Sequence, residues 1–213
     1  MRRCQGHPPP FISNVMNTAR RSSKERKLQC SKQVGHDRGH QIPANNFDYD
    51  KKVCAKTNYM TNIMPQADRM NRGAWLKTEM MGECQRQLAP LTIVGGGVFL
   101  ADCTGSGCEV PEWESDRTDW FVGSHDVKNP AYFWKIIVKA ATGTTAFDAI
   151  AFWMPNHESA VAKKIDDYVV SVSELETLLA KWGAAETFNL DGGAFDKSIR
   201  PTAWKDHKGC SRA

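Results

Sequence analysis

No run of eighteen apolar residues occurs in this chain, which leaves no stretch long enough to cross a membrane as a helix. Met1-Arg2-Arg3 leads into no apolar segment, so no signal peptide is visible. Seven cysteines are present (Cys4, Cys30, Cys54, Cys84, Cys103, Cys108 and Cys210), yet no two form a Cys-x-x-Cys pair. A structural zinc site is therefore not expected, and neither is a zinc-finger module that would read bases. The glycines at 95–97 are not followed by Gly-Lys-Ser/Thr, which excludes a phosphate-cradling P-loop; such a run marks a bulge or a close backbone approach. The odd cysteine count leaves at least one unpaired if all others form disulfides. Cys103 and Cys108 flank Thr-Gly-Ser-Gly and can close a small loop in an oxidising compartment.

What remains is a chain of 213 residues, 41% hydrophobic, enough for one domain with a sizeable core. Its charge is uneven. Residues 1–40 hold nine Lys and Arg against two acids, a balance of +7, so with +4 overall the remainder carries −3. A basic arm attracts a polyanion and releases its counterions, and it is equally what a solvated tail looks like. Pro8-Pro9-Pro10 and Arg20-Arg21-Ser22-Ser23 suggest irregular structure over 1–32.

A short strand is expected within 33–43, ending at Pro43, then a polar loop over 44–56 and a strand over Asn58–Met64 that Pro65 breaks. A helix follows from Ala67 or Asp68 to Cys84, with Asp68 as a candidate cap. Leu91–Leu100, Tyr132–Lys139, Ala146–Met154 and Tyr168–Ser171 read as strands, and residues 102–119 as an insertion loop. Ser173-Glu174-Leu175-Glu176 reads as a capping box opening a helix to about Lys181, stopped by Gly183. Trp134, Trp153, Trp182 and Trp204 are assigned to packing. The expected fold class is α+β, a central, mostly antiparallel sheet with flanking helices. The expected divisions are a basic arm over 1–32, a domain over 33–182 and an extension over 183–213.

The chemistry is concentrated between residues 36 and 79. His36-Asp37-Arg38-Gly39-His40 is followed by Asn58-Tyr59-Met60-Thr61-Asn62-Ile63-Met64-Pro65-Gln66, then by Met70-Asn71-Arg72-Gly73-Ala74-Trp75 and Glu79. Breaking a phosphodiester needs a proton acceptor for water, relief of phosphoryl charge and a proton for the leaving oxygen. A histidine serves as base near neutral pH, a carboxamide oxygen suits a hard cation such as magnesium, and an arginine fork neutralises phosphate.

The pattern Asp-Arg-Gly-His, Asn-Tyr-x-x-Asn-x-x-Pro-Gln, Asn-x-Gly-Ala-Trp-x-x-x-Glu resembles the DNA/RNA non-specific endonuclease family, the ββα-metal nucleases. A weaker likeness extends over 91–181, chiefly at residues 131–137 and 151–156, so the resemblance covers roughly two thirds of the chain. It implies His40 as general base and Asn71 as the sole direct protein ligand of Mg2+, with Mn2+ an allowed substitute. Glu79 is then the carboxylate that orients metal-bound water. Arg38 offsets charge on the phosphate, Asn62 holds the site or contacts phosphate, and Asp37 orients a neighbouring group. His36 is the decoy beside His40, and Trp75 a packing anchor.

The family's additional upstream phosphate-binding arginine has three candidates here, Arg20, Arg21 and Arg26, in a segment shorter than is usual. The implied function is hydrolysis of DNA and RNA with little sequence preference, giving 5′-phosphorylated products. Its partners are those nucleic acids and no membrane, with a homodimer allowed, in a secreted or periplasmic setting. Two rival readings differ in deployment. A non-catalytic nucleic-acid-binding protein would use the basic arm but has no need of His40, Asn71 and Glu79 together, and a toxin against competing cells would share the chemistry.

Overall fold

The computed structural model describes residues 11–15, 35–103, 108, 120–122, 127–140, 147–184, 186–190, 195–205 and 210. The strands are β1 (Phe11–Val15), β2 (His36–His40), β3 (Ile63–Ala67), β4 (Leu91–Val98), β5 (Trp120–Val122), β6 (Val127–Lys128), β7 (Tyr132–Ala140), β8 (Phe147–Pro155) and β9 (Val169–Val170). The helices are α1 (Lys51–Lys56), α2 and α3 (Val172–Lys181). Helix α2 is built from three consecutive stretches, Asp68–Met70, the π-helical Asn71–Trp75 and Leu76–Gln85.

Five strands form the main sheet in the order β1-β4-β7-β8-β9. β1 runs parallel to β4, and the other pairings are antiparallel. Helices and a largely antiparallel sheet make the fold α+β, as the sequence implies. Alternation along β7 explains why its sequence is apolar almost throughout. Phe133 and Ile137 belong to the core on one face, with Ile93, Ile150, Phe152 and Met154; Met70, Ala74, Trp75 and Met81 of α2 cover it. Trp134, Ile136 and Val138 face the other way, under Val172, Leu175 and Leu179 of α3 and the rings of Trp182 and Phe188. A sheet covered on both faces needs apolar side chains on both. Each fully buried Ile or Phe contributes about 1.5–3 kcal/mol.

Gly96 marks a close approach: a Cβ there would lie 2.9 Å from the Trp134 indole nitrogen. Trp153 and Trp204 are half-buried in the packing. The Cys103 and Cys108 sulfurs are bonded, as are those of Cys84 and Cys210, and Cys54 is also disulfide-bonded.

β2 and β3 form a separate two-stranded antiparallel ribbon, with Arg38 opposite Pro65 and His40 opposite Ile63. This corrects the expectation that Pro65 ends a strand. The Pro65 carbonyl accepts a bond from Asn156 on the outer edge of β3 (3.1 Å), so the proline's missing N–H lies on that outer edge too and costs the ladder nothing. Asn156, fully buried, also accepts from the Ala67 N–H (2.7 Å) and donates to the Pro130 carbonyl (2.9 Å). Its carboxamide thus takes the place of a third strand and ties the ribbon to the end of β8.

Other expectations shift locally. Residues 60–62 are a 3-10 turn rather than strand, because both Asn62 amide hydrogens go to backbone carbonyls. The expected loop over 44–56 holds a 3-10 turn (Ala44–Phe47) and α1, whose first N–H groups are capped by Asp50. Ala67, not Asp68, is the residue before α2, with no side-chain cap. The capping box is Ser171 with Glu174 rather than Ser173 with Glu176: the Ser171 hydroxyl accepts from the Glu174 N–H (3.1 Å) and the Glu174 carboxylate from the Ser171 N–H (2.7 Å). Glu176 instead accepts from Lys197 and from the Phe188 N–H, each at 2.7 Å. β1 lies inside the segment that showed no period. Most of the expected 102–119 loop lies outside the described residues.

Candidate active site

The ribbon β2–β3 and the first two turns of α2 meet at Asp37. Its Oδ2 accepts a hydrogen bond from Asn71 Nδ2 at 2.9 Å. This bond fixes the orientation of the Asn71 carboxamide and leaves its Oδ1 with no protein partner among the described residues. One turn on, the Trp75 indole N–H donates to the His40 carbonyl (2.9 Å), anchoring the helix to the end of β2. Trp75 is fully buried and so serves as the packing anchor expected; no base can stack on it.

The π-turn at Asn71–Trp75 has a geometric consequence. Two turns of a regular α-helix take about 7.2 residues. One residue absorbed by the wider turn makes this about 8.2. Asn71 and Glu79, eight apart, therefore come close to alignment on one helix face, which a regular helix would deny them. Wide turns of this kind are frequent at functional sites.

His40 is half-buried, and its Nε2 is buried without a protein partner among the described residues. The ring hydrogen-bonds the Asn58 side chain. Burial lowers the His40 pKa below the ordinary histidine value, and the Asn58 bond partly restores it. His36 lies at the opposite end of β2, across from Ala67. Gly39 is required between them, since a Cβ there would overlap the fully buried Gln66 carboxamide.

Glu79 projects from α2 toward Lys135 of β7. Burial pushes its carboxyl above the usual carboxylate range, Lys135 pulls it down, Glu83 pushes it up and the Trp75 indole pulls it down. Lys135 is 1% exposed and stands among the apolar side chains of the α2-facing sheet surface. Its Nζ donates to Thr78 Oγ1 (3.0 Å) and lies 3.7 Å from the centre of the Trp75 ring. Burial pulls the Lys135 pKa down, and Glu79 holds it up.

The structure thus brings Asp37, Asn71, Trp75, Glu79 and the end of β2 at His40 into one chain of contacts. Arg38 stands apart from it, exposed and without a protein partner among the described residues. Asn62 is engaged elsewhere: its Oδ1 accepts from the Ile42 N–H (3.0 Å), and its Nδ2 donates to the carbonyls of Ile42 and Thr57 (2.8 Å each). That leaves it no N–H for a phosphate and makes it the clamp of the loop carrying Asn58. Arg20, Arg21 and Arg26 lie outside the described residues. Asn58, Arg72, Lys135 and Asn156 were not singled out from sequence. The one signal available was Lys135, a charge in the middle of an apolar strand whose other lysine, Lys139, lies near its end.

Among the described residues no group of three His, Cys, Asp or Glu side chains converges as a metal cage. A carboxamide whose nitrogen is held by Asp37 leaves an oxygen that suits a hard cation keeping most of its water.

This chain belongs to the DNA/RNA non-specific endonuclease family, whose model matches residues 3–191. Among its relatives is the human mitochondrial nuclease EXOG, 28% identical over 147 residues, which cover 68% of this chain and 38% of that protein. The fission yeast (Schizosaccharomyces pombe) mitochondrial Nuclease 1 is 29% identical over 157 residues, covering 70% and 46%. Bovine mitochondrial endonuclease G is 27% identical over 146 residues, covering 67% and 46%. The chain thus spans less than half the length of these relatives. The crystal structure of the EndoG/EndoGI complex shares its fold, with a TM-score of 0.55 and 23% identity over 70% of this chain and 58% of that one. The expected secreted or periplasmic setting is overturned, because these relatives are mitochondrial nucleases.

Proposed function

We propose that this chain is a magnesium-dependent endonuclease that hydrolyses phosphodiesters of DNA and RNA with little sequence preference, leaving 5′-phosphorylated ends, and that it acts in mitochondria as its relatives' names indicate. The observation that carries this reading is the Asn71 carboxamide, turned by Asp37 so that its oxygen is free, on the helix that anchors His40.

In this reading Asn71 Oδ1 would hold the ion and Glu79 would orient water beside it. The bound ion supplies Lewis-acid stabilisation of charge on the phosphoryl oxygens. His40, neutral at physiological pH because burial lowers its pKa, takes a proton from the attacking water on its imidazole. The Asn58 side chain helps hold the ring in place. Attack at phosphorus breaks the bond to the 3′ oxygen, which leaves with a proton drawn from solvent, and the phosphate stays on the 5′ side. Arg38, extended into solvent, offers its planar fork to a non-bridging oxygen as charge builds. The backbone bonds of Asn62 preserve the spacing between Asn58 and β2.

Digestion of supercoiled plasmid and of RNA tests this, with magnesium, with manganese and with excess chelator. Nicking that needs the ion and disappears in chelator is expected. Undiminished cleavage in chelator refutes the ion's role, and absence of cleavage by folded protein under all conditions refutes the activity.

A further inference from the structure

Arg72 is the residue after Asn71, and its guanidinium grips Asp37 with two parallel bonds, Nε to Oδ2 at 2.8 Å and Nη2 to Oδ1 at 2.6 Å. Asp37 Oδ2 therefore accepts from Arg72 and from Asn71 Nδ2 together. Consecutive helical residues ordinarily diverge and do not share a partner. Here both begin the π-turn, and both reach one carboxylate.

The pair's value is not stability. The Arg72 side chain is 66% exposed, and exposed ion pairs contribute little. What the two-point contact does is fix the plane of the Asp37 carboxylate. A carboxylate held at both oxygens presents Oδ2 to Asn71 in one direction only. The Asn71 amide must then turn its nitrogen toward Asp37 and its oxygen away. Asp68 adds a further attraction for the guanidinium.

We propose that Arg72 is a positioning residue: by clamping Asp37 it sets the orientation of the Asn71 carboxamide and so prepares the oxygen that receives the divalent cation. This rests on the reading of Asn71 as ion ligand. Arg72 acts on the ion site indirectly, through Asp37 and then Asn71. Lysine cannot replace it, because an ammonium is a point donor that cannot span both oxygens.

The test is Mn2+ binding to the protein without nucleic acid, read as free Mn2+ by electron paramagnetic resonance. Wild type, Arg72→Gln, Arg72→Lys, Asp37→Asn, Asn71→Ala and the Arg72→Gln/Asp37→Asn double variant are compared, with thermal unfolding to show that each is folded. Arg72→Gln is expected to weaken Mn2+ affinity about 10–100-fold, the usual loss when a ligand's supporting partner is removed. Arg72→Lys should remain well below wild type. The double variant should be no weaker than Asp37→Asn alone, since both changes interrupt one path.

Wild-type Mn2+ affinity in folded Arg72→Gln overturns the proposal. If that variant also shows a raised KM and a flatter salt dependence, Arg72 is a phosphate contact instead. Full recovery in Arg72→Lys overturns it as well, because charge alone would then suffice. If Asn71→Ala binds Mn2+ as wild type does, or wild type binds none, the ion reading itself falls, a failure distinct from that of Arg72.

Discussion

Lys135→Met is the most searching perturbation of this structure. The substitution keeps the length of the side chain and leaves no large cavity, but removes the charge that faces Glu79 beneath α2. Lys135 is 1% exposed, so its ammonium and the Glu79 carboxylate interact with little water between them. Glu83 faces the same carboxylate and adds repulsion. Removing one partner of such a pair costs roughly 3–5 kcal/mol when the other stays charged.

The pH dependence has a definite sign. Burial raises the Glu79 pKa in the folded state above its ordinary value of 4.5. Between those two values the folded chain holds more protons than the unfolded chain, so stability falls as pH rises through the window. Loss of Lys135 pushes the upper edge of that window higher still. The deficit of Lys135→Met is therefore largest at pH 8 and shrinks toward pH 5, where Glu79 is protonated. At pH 5 the lost bond to Thr78 and the contact over Trp75 are opposed by relief of a buried ammonium that then faces a neutral carboxyl, so the deficit there is small or reversed. Urea unfolding at pH 5, 6.5 and 8 measures this, and adding Glu79→Gln to Lys135→Met should recover most of the loss at pH 8. Equal deficits at all three pH values, or no recovery in the double variant, would refute the charged pair.

His40→Ala is expected to lower the cleavage rate by about 10²–10⁴ with little change in DNA affinity; a rate within threefold of wild type sinks the assignment and moves the test to His36→Ala. Because burial lowers the His40 pKa, the acid limb of kcat/KM should lie below pH 6.5, with activity lost as pH falls through it; a limb at or above 7 would contradict the geometry. Asn71→Ala should raise the magnesium concentration needed for half-maximal activity, read from a metal titration; an unchanged requirement counts against its role as ligand. Neutralising Arg20, Arg21, Lys24, Arg26 and Lys27 should raise KM and reduce the log–log salt slope by about 0.9 for each lost duplex phosphate contact. A collapse of kcat from one of these changes would mark that residue as a contact of the scissile phosphate.

The ribbon and helix of the site were legible because short-range rules govern them. His36–His40 and the helix after Ala67 follow from local pattern, and the motif spacing pointed to Asn71 and Glu79. Pro65 misled because the rule against proline in strands concerns the ladder side, and only the tertiary contact with Asn156 shows which side the nitrogen takes. The sequence reads as a capping box at 173–176, but the overlapping Ser-x-x-Glu frame at 171–174 is the one that caps, because burial of Val172, Leu175 and Leu179 sets the helix start two residues earlier. The π-turn has no sequence signature here, so a regular helix placed Asn71 and Glu79 out of line. Arg72 and Lys135 were passed over because their partners lie 35 and 57 residues away in the chain.

Asn156 sits 89 residues beyond Ala67 and 91 beyond Pro65, yet its carboxamide bonds both at the outer edge of β3. Contacts so distant in sequence form only after a costly loop closure. During synthesis the chain through α2 therefore emerges with every residue of the hydrolytic motif present and the ribbon that carries it still unlatched. The latch arrives with the end of β8. Assembly of the ribbon is thus tied to completion of the sheet, and a truncated or half-folded product carries the motif residues without the frame that holds them together.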